Sequence, residues 1–284
     1  MQGQEQQAYD RGTSIFSPDG RLYQVEYARE AVKRGTASVG VRTADGAVLA
    51  ADKRADSTLL ESDSIEKLHK IDGHIGVASA GHVADARKLI DMARQEAQVE
   101  RIRYGERTGV ETLTKRVTDN VQQFTQVGGA RPFGVALIVA GVEDGRVRLF
   151  EADPSGTSYE WKAFSIGEGR DRIRDHLEEG FTDGMSLESG IELAVGALAE
   201  LSDEGLDAGG VSLATVTVED EQYVEHDEET VASYLDEFRD ALEAHSGWET
   251  IPQTFVDREF VGGSDVLAEL DERGELAETL TVEG

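Results

Sequence analysis

Three residues in the first quarter of the chain have the types and order of a threonine-based hydrolytic site. Thr36 follows Gly35, Asp52 lies sixteen residues further on, and Lys67 lies thirty-one residues after Thr36. A threonine whose own α-amino group is free can act as nucleophile and base together, with a nearby lysine assisting proton transfer. That chemistry requires cleavage between Gly35 and Thr36. If the chain is uncleaved, Thr36 keeps an ordinary hydroxyl, and no histidine replaces the missing amine.

Other chemical signatures are absent or weak. The six histidines form no pair or cluster with metal-ligand spacing, and the absence of cysteine excludes disulfides, thiolate metal sites and a cysteine nucleophile. Gly167-Glu168-Gly169 lacks the third glycine of a dinucleotide-binding turn. Ser64-Ile65-Glu66-Lys67 matches the Ser-x-x-Lys of penicillin-recognising enzymes, but the partner motifs of those enzymes are missing. We therefore expect no metal and no cofactor.

Composition narrows the class of protein further. Of 284 residues, 57 are acidic and 28 basic, so the formal charge is −29 and nucleic-acid binding is not expected. No apolar run approaches the roughly 20 residues of a membrane helix. The N-terminal residues lack the basic and apolar regions of a signal peptide, so we expect a soluble cytoplasmic protein. An acidic surplus with scarce lysine suits a surface in molar salt and favours a halophilic source over an ordinary acidic protein.

Two apolar periodicities alternate along the chain and must build the elements that position these residues. Strand-like runs lie at 37–41, 48–51, 75–78, 135–140, 147–150 and 213–218. Helical spacing lies at 83–97, 110–124, 187–201 and 231–242. Asp45-Gly46 and Asp144-Gly145 are typical of hairpin turns. Hairpins with helices grouped between them favour antiparallel sheets covered by helical layers, an α+β class, over a doubly wound parallel fold.

The segment before Thr36 carries the most specific pattern in the chain. It reads Tyr9-Asp10-Arg11 and then Phe16-Ser17-Pro18-Asp19-Gly20-Arg21-Leu22-Tyr23-Gln24-Val25-Glu26-Tyr27-Ala28-Arg29-Glu30-Ala31-Val32. This segment resembles the signature of proteasome α-subunits over more than a dozen consecutive positions. Further segments resemble the same family at matching intervals along the chain: Ser64-Ile65-Glu66-Lys67, Gly81, Ala84-Asp85-Ala86-Arg87 and Gly128-Gly129-Ala130-Arg131-Pro132-Phe133-Gly134. The resemblance covers about residues 8–244, and with the acidity it is closest to haloarchaeal members.

The resemblance implies the fold of proteasome subunits, a four-layer αββα sandwich of the N-terminal-nucleophile hydrolase-like type. Apolar residues every three or four positions independently predict an amphipathic helix over 21–33, after a turn at 17–20. By resemblance, this helix lies across the slot that holds the active site in catalytic β-subunits, which would leave Thr36 unprocessed. We divide the chain into an N-terminal gate segment with its helix (1–35), the subunit sandwich (36–246) and an acidic, mostly disordered tail (247–284).

The function that the resemblance implies is non-catalytic. Seven copies would form an outer ring that gates the entry of unfolded polypeptides into a chamber of proteolytic β-subunits, where the threonine protease activity resides. The chain would thus be no enzyme on its own, but a component of the proteasome endopeptidase complex. The gate-stabilising cluster of the family maps onto Tyr9, Asp10, Pro18 and Tyr27. The loop that lines the inner annulus maps onto Val127, Gly128 and Gly129, with valine where relatives often have tyrosine.

An activating AAA-type ATPase is the further partner that the resemblance implies. Its C-terminal tails would dock in pockets between neighbouring subunits. Lys67 matches the lysine that pairs with the terminal carboxylate of the tail, and the backbone N–H of Gly81 would be a second anion donor. Pro18, Gly20 and Glu26 match positions near the tyrosine of the tail.

Two other functions are open on the sequence. The chain could be a catalytic β-type subunit in which removal of residues 1–35 exposes Thr36. The α-type segment opposes this alternative. The Thr-Thr-Thr start of the catalytic subunits is also absent, because Ala37 and Ser38 follow Thr36. It could also be a free-standing binding protein that has the fold without the ring. Intact mass tests the first alternative, and native size tests the second.

Overall fold

Two five-stranded antiparallel sheets form the centre of the computed structural model, which describes residues 16–17, 20–54, 57, 59–126, 130–201, 206–236, 253–256 and 259–263. The first sheet contains β1 (Ser38–Arg42), β2 (Gly46–Asp52), β8 (Ala163–Ile166), β9 (Val211–Thr217) and β10 (Tyr223–Glu225). The second contains β3 (Leu68–Asp72), β4 (Ile75–Gly81), β5 (Val135–Glu143), β6 (Arg146–Ala152) and β7 (Ser158–Glu160). The strand orders are β10-β9-β2-β1-β8 and β3-β4-β5-β6-β7.

Helices cover the outer face of each sheet. The helices with defined bounds are α1 (Tyr23–Lys33), α2 (Val83–Tyr104), α3 (Val110–Gln126), α4 (Arg170–Gly180) and α5 (Leu187–Ala199). Residues 228–236 are also helical. Within the described residues, no helix is both long and apolar enough to cross a membrane.

Three apolar clusters separate the layers. Leu49 of β2 and Ile138 of β5 belong to the cluster between the two sheets. Val39 of β1 packs with Leu177 of α4 and with α5 in a second cluster, and the second sheet packs on α2 and α3 in a third. Because both faces of each sheet are covered, the strands read as nearly continuous apolar runs, and β2 is buried along its whole length. The order of layers is helix, sheet, sheet, helix, which confirms the predicted α+β sandwich.

The hairpin turn between β5 and β6 has the predicted geometry. Asp144 and Gly145 both have positive φ, 52° and 69°, between the paired residues Glu143 and Arg146. Two consecutive positive φ values define the type I′ turn, whose twist matches that of the flanking strands.

The end of the chain differs from the expected disorder over nine residues. Within the predicted tail, β11 (Gln253–Val256) and β12 (Glu259–Gly263) pair as an antiparallel two-stranded sheet. Apolar and β-branched residues in this short stretch favour strand structure, a signal that the acidic composition of the surrounding tail obscures. The other residues of 247–284 lie outside the described residues.

Candidate functional site

Three separate elements bring Thr36, Asp52 and Lys67 together. Thr36 lies in the link between α1 and β1, and Asp52 is the last residue of β2, whose backbone N–H donates to the carbonyl of Ala37 at 3.0 Å. Lys67 immediately precedes β3, and its carbonyl accepts from the backbone N–H of Ser79 at 3.0 Å. The fold thus brings the three residues together, with Thr36 in contact with both of the others.

The hydrogen bonds of this constellation do not prepare Thr36 for attack. The Thr36 hydroxyl donates to the main-chain carbonyl of Asp52 at 2.7 Å, so its proton is already used. The Lys67 ammonium donates to Thr36 Oγ1 at 2.7 Å, to the Ala37 carbonyl at 2.9 Å and to the Thr36 carbonyl. An ammonium has three protons and no lone pair, so this form of Lys67 cannot act as a base.

Burial sets the electrostatics of Lys67 and Asp52. Lys67 is 8% exposed, and burial lowers the pKa of its amine to about 7, against the opposing effect of the Asp52 and Glu168 carboxylates. The Asp52 carboxylate is itself 1% exposed and pairs with the Arg54 guanidinium at 2.5–3.0 Å. This pair raises the pKa of Arg54. The principal cation on Asp52 is thus Arg54, a residue that the sequence analysis did not select.

Helix α1 is an integral part of the fold directly before Thr36. It buries Val25, Ala28 and Val32, and Val32 belongs to the apolar cluster between the two sheets. On its exposed side, Arg29 donates two hydrogen bonds to Asp153, at 3.0 and 3.1 Å. These contacts fix the helix against the second sheet, because Asp153 follows β6.

Close backbone approaches hold the link between α1 and β1. A Cβ on Gly35 would lie 2.5 Å from the backbone nitrogen of Gly81, so no larger residue fits between them without a shift. The Gly35 carbonyl accepts from the backbone N–H of Glu168 at 2.8 Å, and the Gly35 N–H donates to Val32 at 2.9 Å. Gly35, whose bond to Thr36 cleavage would have to break, is therefore held by hydrogen bonds to Val32 and from Glu168.

Two of the sequence motifs also meet in space. Arg131 donates to both carboxylate oxygens of Asp85, at 2.6 and 2.8 Å, and the backbone N–H of Gly134 adds a third bond at 2.9 Å. Burial raises the pKa of Asp85, but these hydrogen bonds offset it, and the net pKa lies below its ordinary value. The pair joins the start of α2 to the segment that leads into β5.

Comparison with known proteins agrees with this architecture. Residues 32–216 match the family described as proteasome subunit, and residues 9–31 match the N-terminal signature of its A-type members. The chain belongs to the proteasome subunit family. It is 66% identical to proteasome subunit alpha 2 of Haloarcula marismortui over 84% of this chain and 98% of that protein. It is 66% identical to proteasome subunit alpha 1 of Haloferax volcanii, over 83% and 94%, and 62% identical to proteasome subunit alpha of Natronomonas pharaonis, over 86% and 96%.

The α-type signature of the family includes helix α1. The match over residues 9–31 spans nearly all of Tyr23–Lys33, which is the element that packs against β4 and β5 beside Thr36. The similar proteins from salt-dwelling archaea also support the halophilic assignment made from the charge balance.

The structure describes only part of the predicted gate and docking residues. Lys67 contacts Thr36, and the backbone nitrogen of Gly81 closely approaches Gly35, so both residues adjoin the Gly35–Thr36 link. Gly20 has a φ of +81° and closes the predicted turn, with its N–H donating to Ser17 at 2.8 Å. The remaining docking and gate positions within the described residues are Glu26 and Tyr27, both on α1.

Tyr27 is 43% exposed and stacks on Tyr23 with ring centroids 6.5 Å apart. The other predicted residues lie outside the described residues: Tyr9, Asp10 and Pro18 of the gate and docking sets, and Val127, Gly128 and Gly129 of the pore loop. Their roles stay predictions. No group of three or more metal-ligating side chains is present in the part of the chain that the structure describes.

Proposed function

We propose that the chain is a non-catalytic α-type subunit that assembles into a seven-membered outer ring and gates the entry of unfolded proteins into a chamber of β-subunits. The observation that carries this proposal is the packed helix α1 directly before Thr36. Release of Thr36 as an N-terminal nucleophile would cut the covalent link between this helix and β1. The helix, with its buried Val25, Ala28 and Val32, would then be held in the fold by noncovalent contacts alone.

The hydrogen bonding supports the absence of peptide hydrolysis by the isolated chain. In the uncleaved chain, the nitrogen of Thr36 is an amide and cannot accept a proton, so the base that an N-terminal threonine supplies is missing. The Thr36 hydroxyl donates its proton to the Asp52 carbonyl, and its oxygen accepts a hydrogen bond from Lys67. In this proposal, the constellation stabilises the fold, and threonine protease activity belongs to the β-subunits.

Intact mass after co-expression with a β-subunit tests this proposal. We expect retention of residues 1–35, with at most small changes at the first residues, and no peptide hydrolysis by the purified chain alone. A Thr36→Ala variant should give the same intact mass as the unaltered chain apart from the substitution. Loss of residues 1–35 from the unaltered chain, blocked by Thr36→Ala, would support the β-type alternative instead.

We also propose that Lys67 and Gly81 receive the terminal carboxylate of an activating ATPase. Both lie at the Gly35–Thr36 link, where protonated Lys67 and the backbone N–H of Gly81 could both donate hydrogen bonds to a carboxylate. A docking carboxylate would replace one of the carbonyl acceptors that Lys67 now contacts. The predicted gate residues Tyr9, Asp10, Pro18 and Tyr27 would then change the conformation of the pore segment.

Lys67→Ala tests this docking role. We expect the variant to form rings but to lose ATPase-stimulated degradation of an unfolded substrate, because the charge that pairs with the tail is gone. Lys70→Ala, three residues further on at an exposed position of β3, is the matched control and should keep stimulation. Native mass and unstimulated peptide hydrolysis with β-subunits separate lost docking from lost assembly. Full stimulation of Lys67→Ala rings would refute the role of this residue.

A further inference from the structure

A cleft lies between strand β8 and helix α4, at the opposite side of the first sheet from β10. Its volume is about 470 Å³, and its apolar walls are Trp161, Phe164, Leu177 and Phe181. Trp161 stacks on Phe164 with ring centroids 5.7 Å apart, and Trp161 remains 38% exposed. An apolar cleft with an exposed tryptophan on its wall is suited to binding apolar side chains.

Strand β8 offers free backbone groups along this cleft. It is the edge strand of the first sheet and pairs with β1 alone among the described strands. The Arg42 N–H donates to the Lys162 carbonyl at 2.8 Å, so that opposing pair is hydrogen-bonded. Pairs alternate along an antiparallel ladder, so Ala163 and Ser165 belong to non-hydrogen-bonded pairs. Their N–H and C=O groups therefore point away from β1 and can pair with one added strand.

A buried hydroxyl in the same lining also lacks a partner. Ser165 is 2% exposed, and its Oγ forms no hydrogen bond among the described residues. Buried hydroxyls are normally satisfied, and this one can form a hydrogen bond with a segment that binds in the cleft. Ser165 belongs to the cleft lining, and a backbone group of an added segment would be near enough to serve as its partner.

The end of the sequence contains a segment with the pattern that this edge requires. We call residues 278–283, Glu-Thr-Leu-Thr-Val-Glu, the tail segment. Leu280 and Val282 alternate with Thr279 and Thr281, which is the period of a strand with one apolar face, and β-branched residues favour that conformation. The tail segment is thus a candidate edge strand with two apolar side chains for one cleft.

The length of the chain allows the same pairing. The helix at 228–236 buries Leu235 in the same apolar cluster as Leu177 of α4, so the chain leaves the described core on this side. Residues 237–252 and 264–277, on either side of β11 and β12, would together span about 100 Å if extended at about 3.3 Å each, which is enough to reach across one domain.

We propose that the tail segment docks on its own chain as an added strand along the outer edge of β8, with Leu280 and Val282 in the cleft beneath Trp161. This occupant would cover the aromatic surface and pair the outward backbone groups of Ala163 and Ser165. The inference concerns the single chain and does not depend on ring assembly.

Engineered cysteine pairs in the full chain test the docking, because the chain contains no cysteine of its own. Val282→Cys is combined with Arg174→Cys on the cleft, whose arginine side chain is 56% exposed. The matched control combines Val282→Cys with Ile102→Cys, a position that is 82% exposed on α2 in the other helical layer. We expect a disulfide within one chain to form at least tenfold faster in the cleft pair. Equal rates in both pairs, or disulfides only between chains, would overturn the proposal.

Two variants sharpen the test. Ala163→Pro removes one outward N–H but no bond to β1, and Leu280→Asp puts a charge on the apolar face of the tail segment. Both should reduce cleft cross-linking to the rate of the control pair. Because Ala163→Pro could also perturb the strand, the second measurement is the fluorescence of Trp161 in a Trp248→Phe background. Leu280→Asp should shift its emission to longer wavelength, and an unchanged spectrum together with unchanged cross-linking would overturn the proposal.

Discussion

Replacement of Lys67 by methionine should change how the stability of the chain depends on pH. Burial lowers the pKa of Lys67 from 10.5 to about 7. Between these values the unfolded chain binds a proton that the folded chain does not, so the free energy of unfolding rises with pH. The slope is at most about 1.4 kcal/mol per pH unit, which gives at most about 4 kcal/mol between pH 7 and pH 10. Methionine has a similar apolar stem and no amine, so Lys67→Met should lose this rise.

The assay is urea unfolding at constant molar KCl from pH 6.5 to pH 10. High salt screens surface charges and leaves the contribution of a buried group. Lys115→Met is the control, because Lys115 is 64% exposed and pairs with Glu111 one helical turn away. Light scattering at each pH checks that all variants share one assembly state.

We expect the stability of the unaltered chain to rise relative to Lys67→Met as the pH increases, while Lys115→Met stays parallel to the unaltered chain. Parallel curves for the unaltered chain and Lys67→Met would refute the reasoning. They would show that the hydrogen bonds to Thr36 and Ala37 keep the amine protonated in spite of its burial.

Three further predictions test other contacts. Arg29→Ala should loosen α1 by about 1 kcal/mol, because the half-exposed pair with Asp153 is partly screened; faster proteolysis between residues 20 and 35 measures this, and Arg174→Ala should not have this effect. Asp85→Asn should lower the free energy of unfolding by about 1–2 kcal/mol at pH 7, because the ion pair with Arg131 is lost. The difference between the two proteins should vanish in acid, where Asp85 of the unaltered chain becomes protonated as the pH falls through its depressed folded pKa. Transfer from molar KCl to dilute buffer should reduce the helical circular dichroism signal, because the formal charge of −29 is then unscreened; an unchanged spectrum would contradict a halophilic surface.

Periodicity predicted the elements that the core requires. The apolar runs around Leu49, Ile138 and Leu213 became central strands because both faces of each sheet are buried. The helical spacing before Thr36 predicted α1 to within two residues at its start. Where both faces of a strand are buried, the apolar pattern alone is sufficient to predict the strand.

Contacts between distant segments could not be read from the chain. Arg29 and Asp153 are 124 residues apart, and neither belongs to a spacing pattern that would pair them. The Thr36 constellation was predicted from residue order, but its partners were not: the Thr36 hydroxyl contacts the carbonyl of Asp52, and the Asp52 carboxylate pairs with Arg54. Hydrogen-bond direction depends on backbone placement after folding, which residue types do not specify.

The most direct measurement of the central claim is the native mass of the purified chain by light scattering in molar KCl. A ring of seven chains predicts about 216 kDa, seven times 30.8 kDa, or twice that for two stacked rings. Co-expression with a β-subunit should then give a larger complex that hydrolyses peptides, while the chain alone does not. A stable species of 30.8 kDa both alone and with the β-subunit would contradict the ring and support a free-standing binding protein.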